Sequence, residues 1–309
     1  KTFIFVPERA PKGKVAQLMT FGANVISVKG NYEETFELSK KAIDKWGWYN
    51  RNAAINPYLS EGKKTVSLEI AEQLPDVDVV LVPIGGGGLI AGVASALRQL
   101  KPACRIIGVQ AAGAASMADS LRAGHILTLP EVHTVADGIQ VKTPGEKTFA
   151  ICREAVDEVV TVGEAEIASA ILTVLERQKL MVEGAGAVGV AAAMYGELDL
   201  RGKTVCALLS GGNLDVTMLE RIITRGLARE GRTVGFSTVL PDRPRALAGL
   251  LGIVSELGAN VLEVSHERSS LKADLGSTVV HLLVETRNRA HVDELFDALH
   301  REGYQLIQR

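Results

Sequence analysis

The sequence has few of the residues that mark secreted, membrane-spanning or metal-binding proteins. It holds only 3 cysteines, Cys104, Cys152 and Cys206, and this odd, scattered set favours free thiols in a reducing cytoplasm over disulfide bonds. None of its 6 histidines lies at ligand spacing from another, so we expect no metal site. No apolar run is long enough to cross a bilayer and no secretory signal opens the sequence, so no membrane partner is expected.

An excess of charge of one sign is also lacking. The 34 basic and 36 acidic residues nearly cancel, and no basic block stands out. Nucleic acid is therefore not an expected partner. What the sequence does contain is a 47% apolar fraction and 31 glycines, which is typical of an α/β protein with full-sized cores and many tight turns. A length of 309 residues predicts about two domains.

One stretch stands out in the pattern. Residues 79–84 form an apolar run that predicts a buried strand, and the spacing of apolar residues over 89–100 predicts a helix. Between them stand four consecutive glycines, Gly85, Gly86, Gly87 and Gly88. Backbone without side chains approaches a ligand closely, and amides at a helix start favour an anion, most often a phosphate. The dinucleotide fingerprint is missing, so a single phosphate is favoured; a tight turn without a ligand is the alternative.

A second glycine-containing turn follows another predicted strand, at residues 205–209. It consists of Ser210, Gly211, Gly212 and Asn213. Strands alternate with helices before it, including a strand at 53–58, and this alternation predicts a parallel sheet. Both turns then lie at the carboxyl edge of a sheet, where ligands bind. Ser210 either offers its hydroxyl to a ring nitrogen or phosphate oxygen, or serves only as a turn or capping residue.

The end of the sequence follows a different pattern. A helix is predicted from 215 to about 224, and the charged residues 225–232, with Gly226 and Gly231, predict a linker. From 234 to 308 the predicted order is βαββαβ, the ferredoxin-like arrangement. This unit has neither a glycine loop nor an acid–base cluster. We therefore expect a regulatory or dimerising role, with an exposed sheet edge at which two copies pair.

Several motifs together resemble threonine dehydratase (threonine ammonia-lyase), a pyridoxal-phosphate enzyme of the tryptophan-synthase-β-like fold type II. They are VPIGGGGLIAG, VADGIQVKTPGEKTF, VDEVVTV, EGAGAVGVAAA and LLSGGN. PDRPRALAGLL and GANVLEV resemble an ACT domain, an amino-acid-sensing module. The resemblance implies an α/β fold with open parallel sheets and a C-terminal βαββαβ domain. It divides the chain into the remainder of a small domain at 1–62, a large cofactor domain at 63–231 and an ACT-like domain at 232–309.

The resemblance also implies a site and an activity. The residues that match the cofactor phosphate loop are Gly85, Gly86, Gly87, Gly88 and Leu89. Ser210 matches the residue that hydrogen-bonds the pyridine nitrogen. The implied reaction is the deamination of L-threonine to 2-oxobutanoate and ammonia through β-elimination of the hydroxyl group, with L-serine as a second candidate substrate, in isoleucine biosynthesis or threonine catabolism. An amino-acid effector at the ACT-like unit and a homodimer or homotetramer are implied as well.

The family's Ser-Phe-Lys motif, with its Schiff-base lysine, and its Ser-x-Gly-Asn substrate loop do not occur in the sequence. No catalytic residue is therefore assigned, and we expect that a sizeable N-terminal part of the enzyme is missing. The remaining candidate lysines fit no such motif and are expected to be solvated at the surface: Lys14, Lys29, Lys63 and Lys64.

Two further positions depart from the family pattern. Gln110 and Ser116, with Ala114 between them, stand where several relatives bind a divalent cation through carboxylates, so we expect no Mg²⁺ or Ca²⁺ there. Arg245 stands where ACT domains usually carry glycine next to their ligand. Its long cationic side chain is expected to fill or alter the amino-acid pocket.

Two other functions stay open. Residues 49–58 and 61–65 look more like threonine synthase, which shares the fold and cofactor and acts on O-phosphohomoserine. The all-glycine loop, the EGAGA helix and the ACT-like unit favour the dehydratase. The missing lysine, beside an intact C-terminal unit, also fits a non-catalytic amino-acid sensor.

Overall fold

A two-stranded N-terminal sheet opens the fold. The computed structural model describes residues 1–51, 57–268 and 274–308. The first elements are β1 (Phe3–Pro7), α1 (Lys12–Thr20), β2 (Asn24–Val28) and α2 (Tyr32–Trp46). β1 and β2 pair in parallel, and Asn31 and Glu34 cap α2 reciprocally. The strand expected at 53–58 falls mostly outside the described residues, and Pro57 and Tyr58 begin a helix instead.

The central sheet has four parallel strands in the order β5-β4-β3-β6, which confirms the predicted parallel sheet. Its elements run in chain order as α3 (Pro57–Lys63), α4 (Thr65–Gln73), β3 (Val79–Pro83), α5 (Gly88–Leu100), β4 (Arg105–Ala111), α6 (Ser116–Ala123), α7 (Glu146–Ala155), β5 (Glu158–Val162), α8 (Glu164–Gln178), α9 (Gly184–Tyr195), β6 (Val205–Ala207) and α10 (Val216–Arg229). Among the described helices, none is both long and apolar enough to cross a membrane.

β3 is the centre of this sheet because both of its faces are buried. Val79 and Leu81 belong to a core that includes residues of α8 and α9, whereas Val80 and Val82 belong to a core that includes residues of α4, α5 and α7. Two separate apolar cores result, one on each face of the sheet. Helices cover both faces of β3, which is why its side chains form a continuous apolar run. The same packing fixes the position of its carboxyl end.

The C-terminal sheet is antiparallel, with the strand order β10-β7-β9-β8. Its elements are β7 (Thr233–Pro241), α11 (Ala246–Glu256), β8 (Asn260–Glu267), β9 (Ser277–Glu285), α12 (Arg289–Arg301) and β10 (Leu306–Gln308). This is the βαββαβ order that the sequence predicts. The core includes an edge-to-face pair of Phe236 and Phe296, with centroids 5.5 Å apart. β8 lies at the edge of the sheet.

The predicted linker at 225–232 is wrong, since α10 continues through Arg229 and leaves a connection of only three residues. Gly226 lies against Leu172 of α8, so this glycine allows close helix packing and does not mark a break. The Gly231 carbonyl accepts the Thr286 hydroxyl (2.6 Å), and Arg232 forms an ion pair with Glu176. The junction between α10 and β7 is therefore fixed by a hydrogen bond to Thr286 of the C-terminal unit and by an ion pair to Glu176 of α8.

Arg245 adopts a left-handed backbone conformation, with a φ of +74°, at the start of α11. Such a conformation costs a non-glycine residue roughly 1–2 kcal/mol. We expect Arg245→Gly to raise the free energy of unfolding by about 0.5–1 kcal/mol, since the relieved strain exceeds the added entropy of the unfolded chain. Urea denaturation measures the change. Arg243→Gly, at a position without a positive φ, is the control and should destabilise; an equal loss in both variants would contradict the prediction.

Cys104, Cys152 and Cys206 are free thiols. Burial raises the pKa of the Cys152 thiol to about 12, so at pH 8 it stays protonated and unreactive. We expect iodoacetamide to label Cys152 in urea but not in the folded chain, as measured by mass spectrometry. Equal labelling of folded and unfolded chains would contradict the raised pKa of this buried thiol.

Between the ordinary pKa of 9.0 and about 12 the unfolded chain loses the Cys152 proton first, so the free energy of unfolding should fall as the pH rises through that window.

Candidate functional site

The glycine loop (residues 85–88) joins the end of β3 to the start of α5. Just before it, the Ile84 N–H donates to the Val109 carbonyl (2.8 Å), which extends the pairing of β3 with β4 beyond Pro83. Gly87 has a φ of +90°, a value that favours glycine, and α5 begins at the next residue. The chain therefore turns sharply from strand to helix at Gly87.

Other parts of the chain hold the carbonyl side of the loop. The Gly86 carbonyl accepts the Thr148 hydroxyl (2.5 Å) and the Gly145 N–H (3.3 Å). A Cβ on Gly87 would lie 2.7 Å from the Met117 Cε and 2.8 Å from the Thr148 Cβ, so no side chain fits there. The N–H and C=O of a trans peptide point in opposite directions, and the Gly87 N–H therefore points away from Thr148.

The amide side of the loop has no protein partner. Among the described residues, no acceptor meets the N–H groups of Gly85, Gly86, Gly87, Gly88 and Leu89. The last two belong to the first turn of α5 and add the positive end of its dipole. The Leu89 side chain is partly buried against the core that includes α4 and α7, so Leu89 offers the site its N–H. Unpaired amides arranged in this way bind an anion the size of a phosphate.

Ser210 lies at the same edge of the central sheet as the glycine loop. β6 pairs in parallel with β3, and the Leu208 N–H donates to the Leu81 carbonyl (3.0 Å), so the two strands end side by side. The Ser210 side chain is exposed, and its hydroxyl has no hydrogen-bond partner within the described part of the chain. It is therefore available to a group bound between the two turns.

Glu183 holds the turn formed by residues 210–213, a role that was not predicted from the sequence. Its N–H donates to the Gly211 carbonyl (3.1 Å), and its carboxylate Oε2 accepts the Asn213 N–H (3.1 Å). A Cβ on Gly211 would lie 2.5 Å from the Glu183 Oε1, so the glycine lets the carboxylate lie against the turn. The signal for this role was the acidic residue directly before the small-residue helix α9.

Gln110 and Ser116 do not present a set of oxygen ligands. The Gln110 Nε2 donates to the Ala114 carbonyl (3.2 Å), so an N–H donor faces that oxygen. The Ser116 hydroxyl is buried without a partner. Among the described residues there is no group of three or more His, Cys, Asp or Glu side chains that could hold a metal ion. The expectation of no divalent cation here stays a prediction, and the chemistry of these groups agrees with it.

The candidate lysines differ in their surroundings. Lys29 is exposed, as expected, and Lys14 pairs with Asp137 (3.0 Å), which joins α1 to the segment next to the glycine loop. Lys63 and Lys64 are half-buried, and burial lowers the pKa of the Lys63 ammonium. Full solvation is therefore the wrong expectation for the three half-buried lysines, Lys14, Lys63 and Lys64.

Comparison with known proteins agrees with this geometry. The chain is 45% identical over 303 residues to an L-threonine ammonia-lyase of Thermotoga maritima, a match that covers 98% of this chain and 75% of that one. An L-threonine ammonia-lyase of Geobacter sulfurreducens is 44% identical over 302 residues, with 97% and 75% covered. The processed form of threonine deaminase isoform 2 from Solanum lycopersicum superposes with a TM-score of 0.69 at 36% identity, covering 72% of this chain and 65% of that one.

Maize serine racemase has a similar structure, with a TM-score of 0.65 at 34% identity, covering 74% of this chain and 70% of that one. The sequence profile of the pyridoxal-phosphate dependent enzymes matches residues 1–211, which include the glycine loop, Ser210 and Glu183. With two thirds of its length matched and its amides arranged for a phosphate, the chain belongs to the family of pyridoxal-phosphate-dependent enzymes.

Proposed function

We propose that this chain serves the deamination of L-threonine to 2-oxobutanoate and ammonia, the activity of a threonine ammonia-lyase. The observation that carries the proposal is the row of unpaired amides from Gly85 to Leu89, beside the unpaired hydroxyl of Ser210. The two ammonia-lyases that match nearly the whole chain support it. They also favour the lyase over threonine synthase.

The residues at this edge of the sheet fit the cofactor. A phosphate has oxygens to accept the amides of residues 85–89, and Thr148 and Met117 leave no space for side chains behind them. When bound, pyridoxal phosphate supplies an electron sink for breaking the Cα–H and Cβ–O bonds of the substrate. Ser210 offers a neutral hydroxyl to the ring nitrogen and does not favour its protonation. A weaker electron sink of this kind suits β-elimination.

An assay of 2-oxobutanoate tests the proposal. The complete protein, including any N-terminal part that supplies the family's Schiff-base lysine, is incubated with pyridoxal phosphate and L-threonine, with L-serine and O-phosphohomoserine as parallel substrates. We expect 2-oxobutanoate from threonine. Phosphate released from O-phosphohomoserine would instead indicate threonine synthase. Cofactor binding without any product would leave the sensor function and contradict the lyase assignment.

We further propose a regulatory role for residues 232–309 as an ACT-type domain, with residues 1–62 and 63–231 as the two parts of the cofactor unit. A cavity of about 320 Å³ lies beside the start of α11. The ionisable residues that line it are Asp242, Arg243, His266 and Arg268. Arg268 donates to Asp242 (2.9 Å) and lowers the pKa of that carboxyl, so both charges are present at neutral pH. Such a pair suits the two charged ends of an amino-acid effector.

Two measurements on the full chain test this role. Calorimetry with isoleucine and valine should show binding, and the edge strand β8 should allow two copies to pair, giving a dimer or tetramer by light scattering. The absence of binding for both amino acids would contradict the effector site. A monomer at all concentrations would contradict the pairing. Inhibition of the lyase by isoleucine would favour a role in isoleucine biosynthesis, and the absence of inhibition would favour a catabolic role.

A further inference from the structure

Gln110, on β4, is a fully buried polar side chain next to the glycine loop. Its Oε1 accepts the Ala118 N–H (2.8 Å), and its Nε2 donates to the carbonyls of Ile84 (3.3 Å) and Ala114 (3.2 Å). The residue is 0% exposed, so water does not compete for these bonds. One side chain therefore ties the end of β3 to the start of α6.

The bond to Ile84 acts directly on the loop. The Ile84 carbonyl belongs to the same peptide unit as the Gly85 N–H, and the two groups point in opposite directions. Because Gln110 holds this carbonyl, the Gly85 N–H is aimed away from β4. Thr148 has the same effect on the peptide unit between Gly86 and Gly87. Its hydroxyl holds the Gly86 carbonyl and so orients the Gly87 N–H.

The bond to Ala118 acts on the loop through α6. This helix begins without a side-chain cap of its own, and Ala118 is the third residue, whose N–H lacks a partner within the helix. Gln110 supplies the missing acceptor. The helix in turn holds Met117, whose Cε would lie 2.7 Å from a Cβ on Gly87. The glutamine thus also supports the helix that packs behind the loop.

We propose that Gln110 is a positioning residue of the phosphate site. It orients the Gly85 amide and keeps α6 against Gly87, without touching the bound group. The inference rests on the proposed function, because the amides need orienting only if they hold the cofactor phosphate. The glycine loop has no side chains of its own to orient its amides, and Gln110 of β4 fulfils this role for the Gly85 N–H.

Binding measurements on the full chain test this role without requiring turnover. Calorimetry gives the Kd for pyridoxal phosphate and for inorganic phosphate, and hydrogen exchange with mass spectrometry follows the amides of residues 84–90 in the chain saturated with phosphate. Gln110→Met keeps the buried volume and removes all three bonds; Gln110→Glu keeps the shape and removes an N–H donor. Ser116→Ala is the matched control, because it removes a neighbouring buried hydroxyl that has no partner.

We expect both Gln110 variants to bind each ligand about tenfold more weakly, with faster exchange confined to residues 84–90 and α6, and Ser116→Ala to bind like the wild type. Affinities within about twofold of the wild type in both variants would overturn the inference. So would exchange that rises equally through the whole central sheet, which indicates a general stabilising role. A wild-type chain that binds neither ligand would overturn the proposed function, and this inference with it.

Discussion

Replacing Gly87 with alanine is expected to abolish binding of the cofactor phosphate and to lower the free energy of unfolding by about 3 kcal/mol. Two costs add at this position. The φ of +90° is unfavourable for alanine, and the new Cβ would meet the Met117 Cε at 2.7 Å and the Thr148 Cβ at 2.8 Å. Thr148 also bonds the Gly86 carbonyl, so moving it disturbs the loop amides. Urea denaturation and a pyridoxal phosphate titration measure the two effects.

Gly124→Ala separates these two costs. Gly124 has a similar φ of +77°, but a Cβ there would meet nothing within 4 Å. We expect it to lose only about 1 kcal/mol and to retain the cofactor. Equal losses of stability in the two variants would show that crowding behind the glycine loop has no effect, and normal cofactor binding by Gly87→Ala would contradict the position of the phosphate.

Replacing Glu183 with alanine is expected to weaken cofactor binding and lower kcat, each by about tenfold or more. The Asn213 N–H loses its carboxylate acceptor, and only the backbone bond from the residue-183 N–H to the Gly211 carbonyl still holds the turn that contains Ser210. A hydrogen bond to a charged acceptor contributes roughly 1.5–3 kcal/mol, which sets the size of the effect. The Kd for pyridoxal phosphate and the rate of 2-oxobutanoate formation are the measurements.

Glu166→Ala is the control for Glu183→Ala. The Glu166 carboxylate also accepts a backbone N–H, from Gly163 at 2.7 Å, but this bond lies at the start of α8. Its loss should cost about 1 kcal/mol of stability as a lost helix cap and leave the Kd and kcat unchanged. If both variants lose activity in proportion to their stability, Glu183 has no specific role in the site.

Local patterns in the sequence predict much of the fold. The apolar run of β3 and the helical spacing of α5 are properties of neighbouring residues, and the structure has both elements nearly where they are expected. Four adjacent glycines likewise indicate a ligand loop. The linker prediction failed because a glycine allows either a break or close packing, and for Gly226 only Leu172, 54 residues earlier in the sequence, decides between them.

The supporting contacts of the site are not predictable in this way. Gln110 and Ile84 are 26 residues apart, and Glu183 and Asn213 are 30 apart. No periodicity links such pairs, because they meet only after strands and helices have packed. Gln110 drew notice from the sequence only as a missing carboxylate, whereas its contacts give it an independent position behind the glycine loop.

The short junction between α10 and β7 determines how the C-terminal sheet can communicate with the rest of the enzyme. Gly231 is bonded to Thr286, and Arg232 is paired with Glu176 near the end of α8. Seven residues after Glu176 the chain reaches Glu183, which holds the Ser210 turn. If the proposed effector binds the C-terminal sheet, this short, bonded connection is the covalent route by which a shift of that sheet would reach the residues that hold the Ser210 turn.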